Sequence, residues 1–194
     1  MAIGGQASAA TIDYEVDSVS AKPSDRVVYT ADPQEANQVT VNCCIGLFQT
    51  PEVVVLTDPG ALIEVGPSPD SQQRCLAVAL LAECSTSGRG PQASIGYLDA
   101  FLGPNNDRLR VQETPGIGTN LFGEGGGDAL FGGDGGDHLD GGPGPDGLHG
   151  AGSVDTIEAR DGTPDVITCG AGTDTVFADA VDSVAAGCEN VQIG

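Results

Sequence analysis

Between Gly123 and His149 the chain repeats itself every nine residues without a gap: GEGGGDALF, GGDGGDHLD, GGPGPDGLH. Each unit has Asp at its sixth place (Asp128, Asp137, Asp146) and Leu at its eighth (Leu130, Leu139, Leu148). Few architectures accept that phase. The pattern G-G-x-G-x-D-x-U-x, with U a large apolar residue, belongs to a parallel β-helix in which two units complete one coil. Glycine in the first half permits the positive φ of a tight turn. The half after Asp is a very short strand with its Leu inward. The expected fold class is all-β: a right-handed parallel β-solenoid, or β-roll, with an irregular N-terminal β region.

Residues eighteen apart then stack at the strand spacing of ~4.8 Å, which sets Asp128 over Asp146 and Asp137 over Asp155. Two carboxylates ~5 Å apart at an effective dielectric of ~20 repel by roughly 3 kcal/mol. A cation between them reverses the sign. A hard ion with six or more oxygen ligands suits carboxylates plus turn carbonyls, so calcium is the expected cofactor.

The repeat loosens in an ordered way on both sides. GAGSVDTIE keeps Asp155 and Ile157, Asp165 comes ten residues on after a one-residue bulge near Asp161-Gly162, and CGAGTDTVF restores Asp174 and Val176. The candidate metal ligands are therefore Asp128, Asp137, Asp146, Asp155, Asp165 and Asp174. The pairs Asp146–Asp165 and Asp155–Asp174 are nineteen apart and cross the bulge. Upstream, Gly103–Val111 is a degenerate unit with Asp107 and Leu109 in the Asp and Leu places, and QETPGIGTNLF holds an insertion. Thr119 falls where an Asp is due and supplies no carboxylate. Leu130, Leu139, Leu148, Ile157, Ile167 and Val176 are the expected inner column.

Charge points the same way. The 194 residues carry 28 acidic and 7 basic side chains, a net −21. Residues 123–194 hold 14 acidic residues against Arg160 alone, a net −13, so the repeat half repels itself until cations bind. Nucleic acid is excluded as a partner on electrostatic grounds. The partners that remain are calcium ions, a second copy of the chain or an extracellular protein. Thirty glycines, twelve prolines and no Trp favour turns and short strands over helices. The longest apolar run, Leu76–Ala82, is too short to span a bilayer.

In the first half, Ile12, Tyr14 and Val16 alternate as in a half-buried strand, and RVVYT and QVTV read likewise. EVVVLTD and ALIEV flank Pro59-Gly60, and ASIGYLDAF is another candidate strand. Pro59-Gly60 marks a tight turn. The stretch between Cys75 and Cys84 reads as a buried strand with a corner. Six cysteines suggest disulfides and an oxidising compartment, hence a secreted protein. The start, MAIGGQASAATID, lacks a basic n-region and an apolar h-region, which fits a signal peptide already removed or a start that is not the native one. Cys43 and Cys44 are adjacent. A bond between neighbours is strained; the alternatives are one buried and one free thiol on opposite strand faces, or an intermolecular bridge.

The tandem nonapeptides resemble the RTX (haemolysin-type) calcium-binding repeats. A second resemblance covers the rest of residues 25–194. YTADPQEANQVTV, VLTDPGALIEVG, Cys75…Cys84 and GPNNDRLRV are similar to the N-terminal region of secreted actinobacterial RTX-type proteins, although Arg74 stands where that pattern has Gly. DGTPDVITCGAGTDTVFADAVDSVAAGCENV resembles their C-terminal end. The resemblance implies calcium on the sixth-place aspartates and the pairings Cys75–Cys84 and Cys169–Cys188, the second pinning the tail over the open end of the solenoid. The expected division of the chain is 1–101, an irregular β-solenoid or small β-domain, and 102–194, the β-roll with its pinned cap. Continuity of one stack is the favoured alternative.

No G-x-S-x-G, H-E-x-x-H, Walker or Rossmann pattern is present, and His138 and His149 sit at variable places inside the repeats as exposed filler. The chain therefore reads as no enzyme. The expected function is a secreted, calcium-folded structural or interaction module, with self-assembly into an extracellular structure as one outcome. The alternative is an RTX-like effector, toxin or enzyme accessory with its active part in the N-terminal half.

Overall fold

The computed structural model describes the backbone of residues 10–15, 25–31, 33, 36–45, 51–57, 63–65, 75–78, 81–85, 95–112 and 118–194, and the side chains of 28–31, 33, 36–41, 97–112 and 118–194. These residues form strands β1 (Ala10–Glu15), β2 (Asp25–Thr30), β3 (Gln38–Ile45), β4 (Pro51–Thr57), β5 (Ile63–Val65), β6 (Cys75–Val78), β7 (Leu81–Ser85), β8 (Ile95–Phe101) and β9 (Arg108–Gln112). There follow β10 (Gly118–Phe122), β11 (Ala129–Gly133), β12 (His138–Asp140), β13 (Gly147–Gly152), β14 (Thr156–Ala159), β15 (Val166–Ala171), β16 (Thr175–Ala178), β17 (Ser183–Val184) and β18 (Asn190–Ile193). No helix occurs among the described residues, and so none is long and apolar enough to cross a membrane.

The strands make two sheets, ordered β18-β16-β14-β12-β10-β8-β2-β1-β5 and β17-β15-β13-β11-β9-β3-β4-β7-β6. From β2 to β18 and from β3 to β17 every neighbour is parallel, and the chain alternates between the sheets. That is a parallel β-solenoid. Its register follows the nonapeptide phase, with Leu130 opposite Leu148 and Leu139 opposite Ile157.

The core is two apolar columns facing each other. One runs Val39, Leu109, Leu130, Leu148, Ile167; the other runs Ala100, Leu121, Leu139, Ile157, Val176, all buried. Alternation within each short strand, buried then half-buried, points the intervening residues outward. Tyr29 stands opposite Ala100 in the second column, so a large side chain compensates a small one. Each buried Leu contributes roughly 1.5–3 kcal/mol.

The N-terminal strands depart from the parallel scheme. β1 lies antiparallel on β2, and β5 parallel on β1. β4 lies antiparallel on β3, β7 on β4 and β6 on β7. Strands β2 and β3 nonetheless belong to the stack, since β8 and β9 pair with them in parallel. Both sheets therefore run through the 101/102 division. The stretch from Cys75 to Cys84, expected as one strand with a corner, is instead two antiparallel strands. Only residues 79 and 80 separate β6 from β7, the length of a hairpin loop. Cys75 and Cys84 are register partners across it. Their side chains, those of Cys43 and Cys44, and the turn at Pro59-Gly60 lie outside the described residues.

Candidate metal centre

Each ladder Asp sits where a turn ends and a strand begins. Four of the turns hold two residues at positive φ, one at the second place and one at the fourth, as at Gly142 (79°) and Gly144 (138°). A side chain at either would strike a carbonyl of the preceding coil, that of Glu124 or Gly126. In this turn glycine is demanded by close backbone approach as well as by φ, whereas Glu124, Ala151 and Ser153 take the same places at positive φ in other turns. The tight turn rotates the following Asp side chain inward.

The six predicted aspartates are all buried, at most 4% exposed. They fall into two ladders, one at each edge of the flattened coil. In the first, the backbone N–H of Asp107 donates to Asp128 Oδ1 (2.8 Å), Asp128 to Asp146 (2.7 Å), Asp146 to Asp165 (2.7 Å) and Asp165 to Asp182 (3.0 Å). In the second, Thr119 donates to Asp137 Oδ1 (2.8 Å), Asp137 to Asp155 (2.9 Å), Asp155 to Asp174 (2.9 Å) and Asp174 to Glu189 Oε2 (3.0 Å). Each Asp carbonyl accepts in return from the next coil, as Gly147 N–H to Asp128 and Thr156 N–H to Asp137, both at 2.8 Å.

The second carboxylate oxygen is the unusual one. Oδ2 of Asp128, Asp137, Asp146, Asp155, Asp165 and Asp174 is buried with no hydrogen-bond donor. Such an atom costs about 1–3 kcal/mol, more when charged. Beside several of them lies backbone oxygen. The point where a Cβ would stand on Gly123 is crowded by Asp128 Oδ2 and lies 2.5 Å from the Gly141 carbonyl. The equivalent points at Gly132 and Gly150 are crowded by Asp137 and Asp155 Oδ2, with the Gly150 carbonyl at 2.8 Å and the Cys169 carbonyl at 2.7 Å. Carboxylate and carbonyl oxygens converging on a space are the donor set of a hard cation, so these residues fit calcium. They do not fit a site built from side chains alone: among the described residues no three His, Cys, Asp or Glu side chains converge.

Electrostatics agree. Burial pushes the carboxyls of Asp128 and Asp137 up to about 7 and those of Asp146, Asp155 and Asp165 up to about 6. The ladder hydrogen bonds oppose this, and neighbouring carboxylates add to it, Asp146 on Asp128 and Asp174 on Asp155.

Several ladder residues escaped the sequence pattern as site residues. Asn37 donates its N–H to Asp107 Oδ1, Thr119 uses both its N–H and its hydroxyl on Asp137, and Asp182 and Glu189 close the C-terminal ends. An acidic residue two places before a strand valine would have found Asp182 (before the half-buried Val184) and Glu189 (before the exposed Val191). The histidines are not exposed filler. His149 stacks on Phe131 at 4.5 Å, and His138 meets the edge of Phe122, which itself stacks on Phe101. Arg108 and Arg110 lie over the same Phe131 ring. Phe131 with His149 and Phe101 with Phe122 are register partners on successive coils, and stack for the same reason that the aspartates do.

The predicted bridge Cys169–Cys188 is present, with Cα atoms 5.3 Å apart. Compared with protein-family models, with curated proteins and with solved structures, the chain gives no match.

Proposed function

We propose that this protein is a secreted, calcium-binding structural or interaction module whose repeat coils fold on the ion. The observation that carries the reading is the row of buried Oδ2 atoms without donors, those of Asp128, Asp137 and Asp155 set beside backbone carbonyls. Asp128, Asp137, Asp146 and Asp155 would hold the ion, with carbonyls of the adjoining turns; Asp165 and Asp174 continue the same ladders. A bound calcium would neutralise the buried carboxylates and join successive coils. The RTX-like nonapeptides support the same ion, and the Cys169–Cys188 bridge supports an oxidising compartment. Stacking of both histidines on phenylalanines supports a non-catalytic role for them.

The test is circular dichroism and thermal melting in excess EGTA and in millimolar calcium. Loss of β signal over the repeat half on chelation is expected, with recovery on adding calcium. An unchanged spectrum and melting curve in EGTA would refute the proposal. Light scattering with and without calcium separates a self-assembling module from one that meets another protein.

A further inference from the structure

The turns differ at one inward place, the one that precedes the ladder carboxylate by a whole turn. Gly123, Gly132, Gly141 and Gly150 hold it before Asp128, Asp137, Asp146 and Asp155. At each of these four, a Cβ would collide with Oδ2 of that Asp. Elsewhere in the ladders the place carries a side chain. Leu102, whose neighbour Phe101 pairs with Phe122, stands in register with Gly123 and precedes Asp107. Ala159 follows Glu158, the register partner of Asp140, and so stands in line with Gly141 and precedes Asp165. Cys169 lies between Thr168 and Gly170, the partners of His149 and Ala151, and so faces Gly150 and precedes Asp174. Leu102, Ala159 and Cys169 are all buried.

Taking calcium binding as the function, we propose that among the described residues only the four glycine turns are ion sites. A side-chain carbon closes the turns of Asp107, Asp165 and Asp174. In the last of these the disulfide takes over the ion's mechanical part. Cys169 lies in β15 and Cys188 follows its register partner β17, so the bridge ties a coil to the next as a shared ion would. Cys169 serves both devices: its carbonyl lies at the Asp155 turn, while its buried side chain occupies the place before Asp174 that glycine holds in the ion turns.

The experiment counts calcium per chain on the full-length oxidised protein, by equilibrium dialysis and atomic absorption. Four ions are expected. Gly132→Ala should lower the count by one. Ala159→Gly should raise it by one, and so should the double variant Cys169→Gly/Cys188→Ser. Ala159→Gly keeps both cysteines and tests the rule even where loss of the bridge unfolds the last coil. Six ions in the parent protein, or no gain in Ala159→Gly, would overturn the assignment while leaving calcium binding intact. No bound calcium in any of the chains would overturn the calcium reading itself.

Discussion

The backbone N–H of Asp155 donates to Oδ1 of Asp174 across nineteen residues at 2.9 Å, the same bond and length that Asp137 makes to Asp155 across eighteen. The bulged coil therefore keeps the ladder intact. The added residue is taken up between Ala159 and Asp165, where Asp161 accepts from Gly144 and Thr163 and holds the longer turn outside the stack.

Protonation should stabilise the ion-free protein. The folded pKa values of about 7 for Asp128 and Asp137 and about 6 for Asp146, Asp155 and Asp165 stand above the unfolded value of 3.8. The folded state holds protons that the unfolded chain has released, so this stability is full below 3.8 and is lost as pH rises through 6 to 7. In EGTA the melting temperature should be higher at about pH 5 than at about pH 8. In calcium, which competes with those protons, the order should reverse. A higher ion-free melting temperature at the alkaline pH would contradict the burial of these carboxyls.

Asp146→Asn should separate ladder from ligand. Asn keeps an Oδ1 to accept the Asp128 N–H and removes a buried charge. Its melting temperature in EGTA should rise above that of the parent, while calorimetric titration shows bound calcium lost. Equal losses in both conditions would mean that the negative charge itself holds the ion-free fold.

Leu139→Ala should cost about 2–5 kcal/mol by chemical denaturation, because Leu139 is fully buried between Leu121 and Ile157 and the cavity cannot collapse without breaking register. Val154→Ala, on a residue 62% exposed, should stay within about 0.5 kcal/mol.

Gly142→Ala and Gly162→Ala compare two positive-φ positions, 79° and 88°. Both pay for the left-handed backbone, about 1–2 kcal/mol. Only Gly142 also meets a carbonyl of the neighbouring coil, whereas nothing lies within 4 Å of a Cβ on Gly162. The melting temperature should fall clearly further for Gly142→Ala. Matching shifts would show that coil spacing relaxes freely.

Cys188→Ser should remove about 3 kcal/mol from the last coil on the chain-entropy estimate. Hydrogen exchange should accelerate first in β16 and β18, with β11 and β12 still protected. Uniform acceleration along the stack would indicate that the solenoid opens as one unit.

Much of this was legible because a period fixes register. Once Leu130 and Leu148 share a phase, so do the aspartates before them, and the ladder follows. Neighbour direction in the N-terminal strands was not legible. Alternation in β1 is a pattern within one strand and says nothing about whether the next strand runs up or down. The ends of the ladders were hidden for another reason. Asn37 and Thr119 join through backbone N–H groups, which every residue but proline carries. The cradle-closing role of Ala159 and Cys169 needed the coordinates, since a small inward residue looks in sequence like any other core position.

Four coil lengths coexist in the first ladder, 21 residues from Asp107 to Asp128, 18 from Asp128 to Asp146, 19 from Asp146 to Asp165 and 17 from Asp165 to Asp182, and all close on the same bond. Circumference is elastic; pitch is not. The protein is a ruler graduated in whole coils, in which coils of different length keep one strand spacing. Excising residues 129–146 would join Asp128 to Gly147, the same dipeptide junction as Asp146 to Gly147. The body would shorten by one strand spacing, ~4.8 Å, with both ends unaltered. Length in such a molecule is inherited in steps, and two chains differing by one coil would hold identical ends a fixed increment apart.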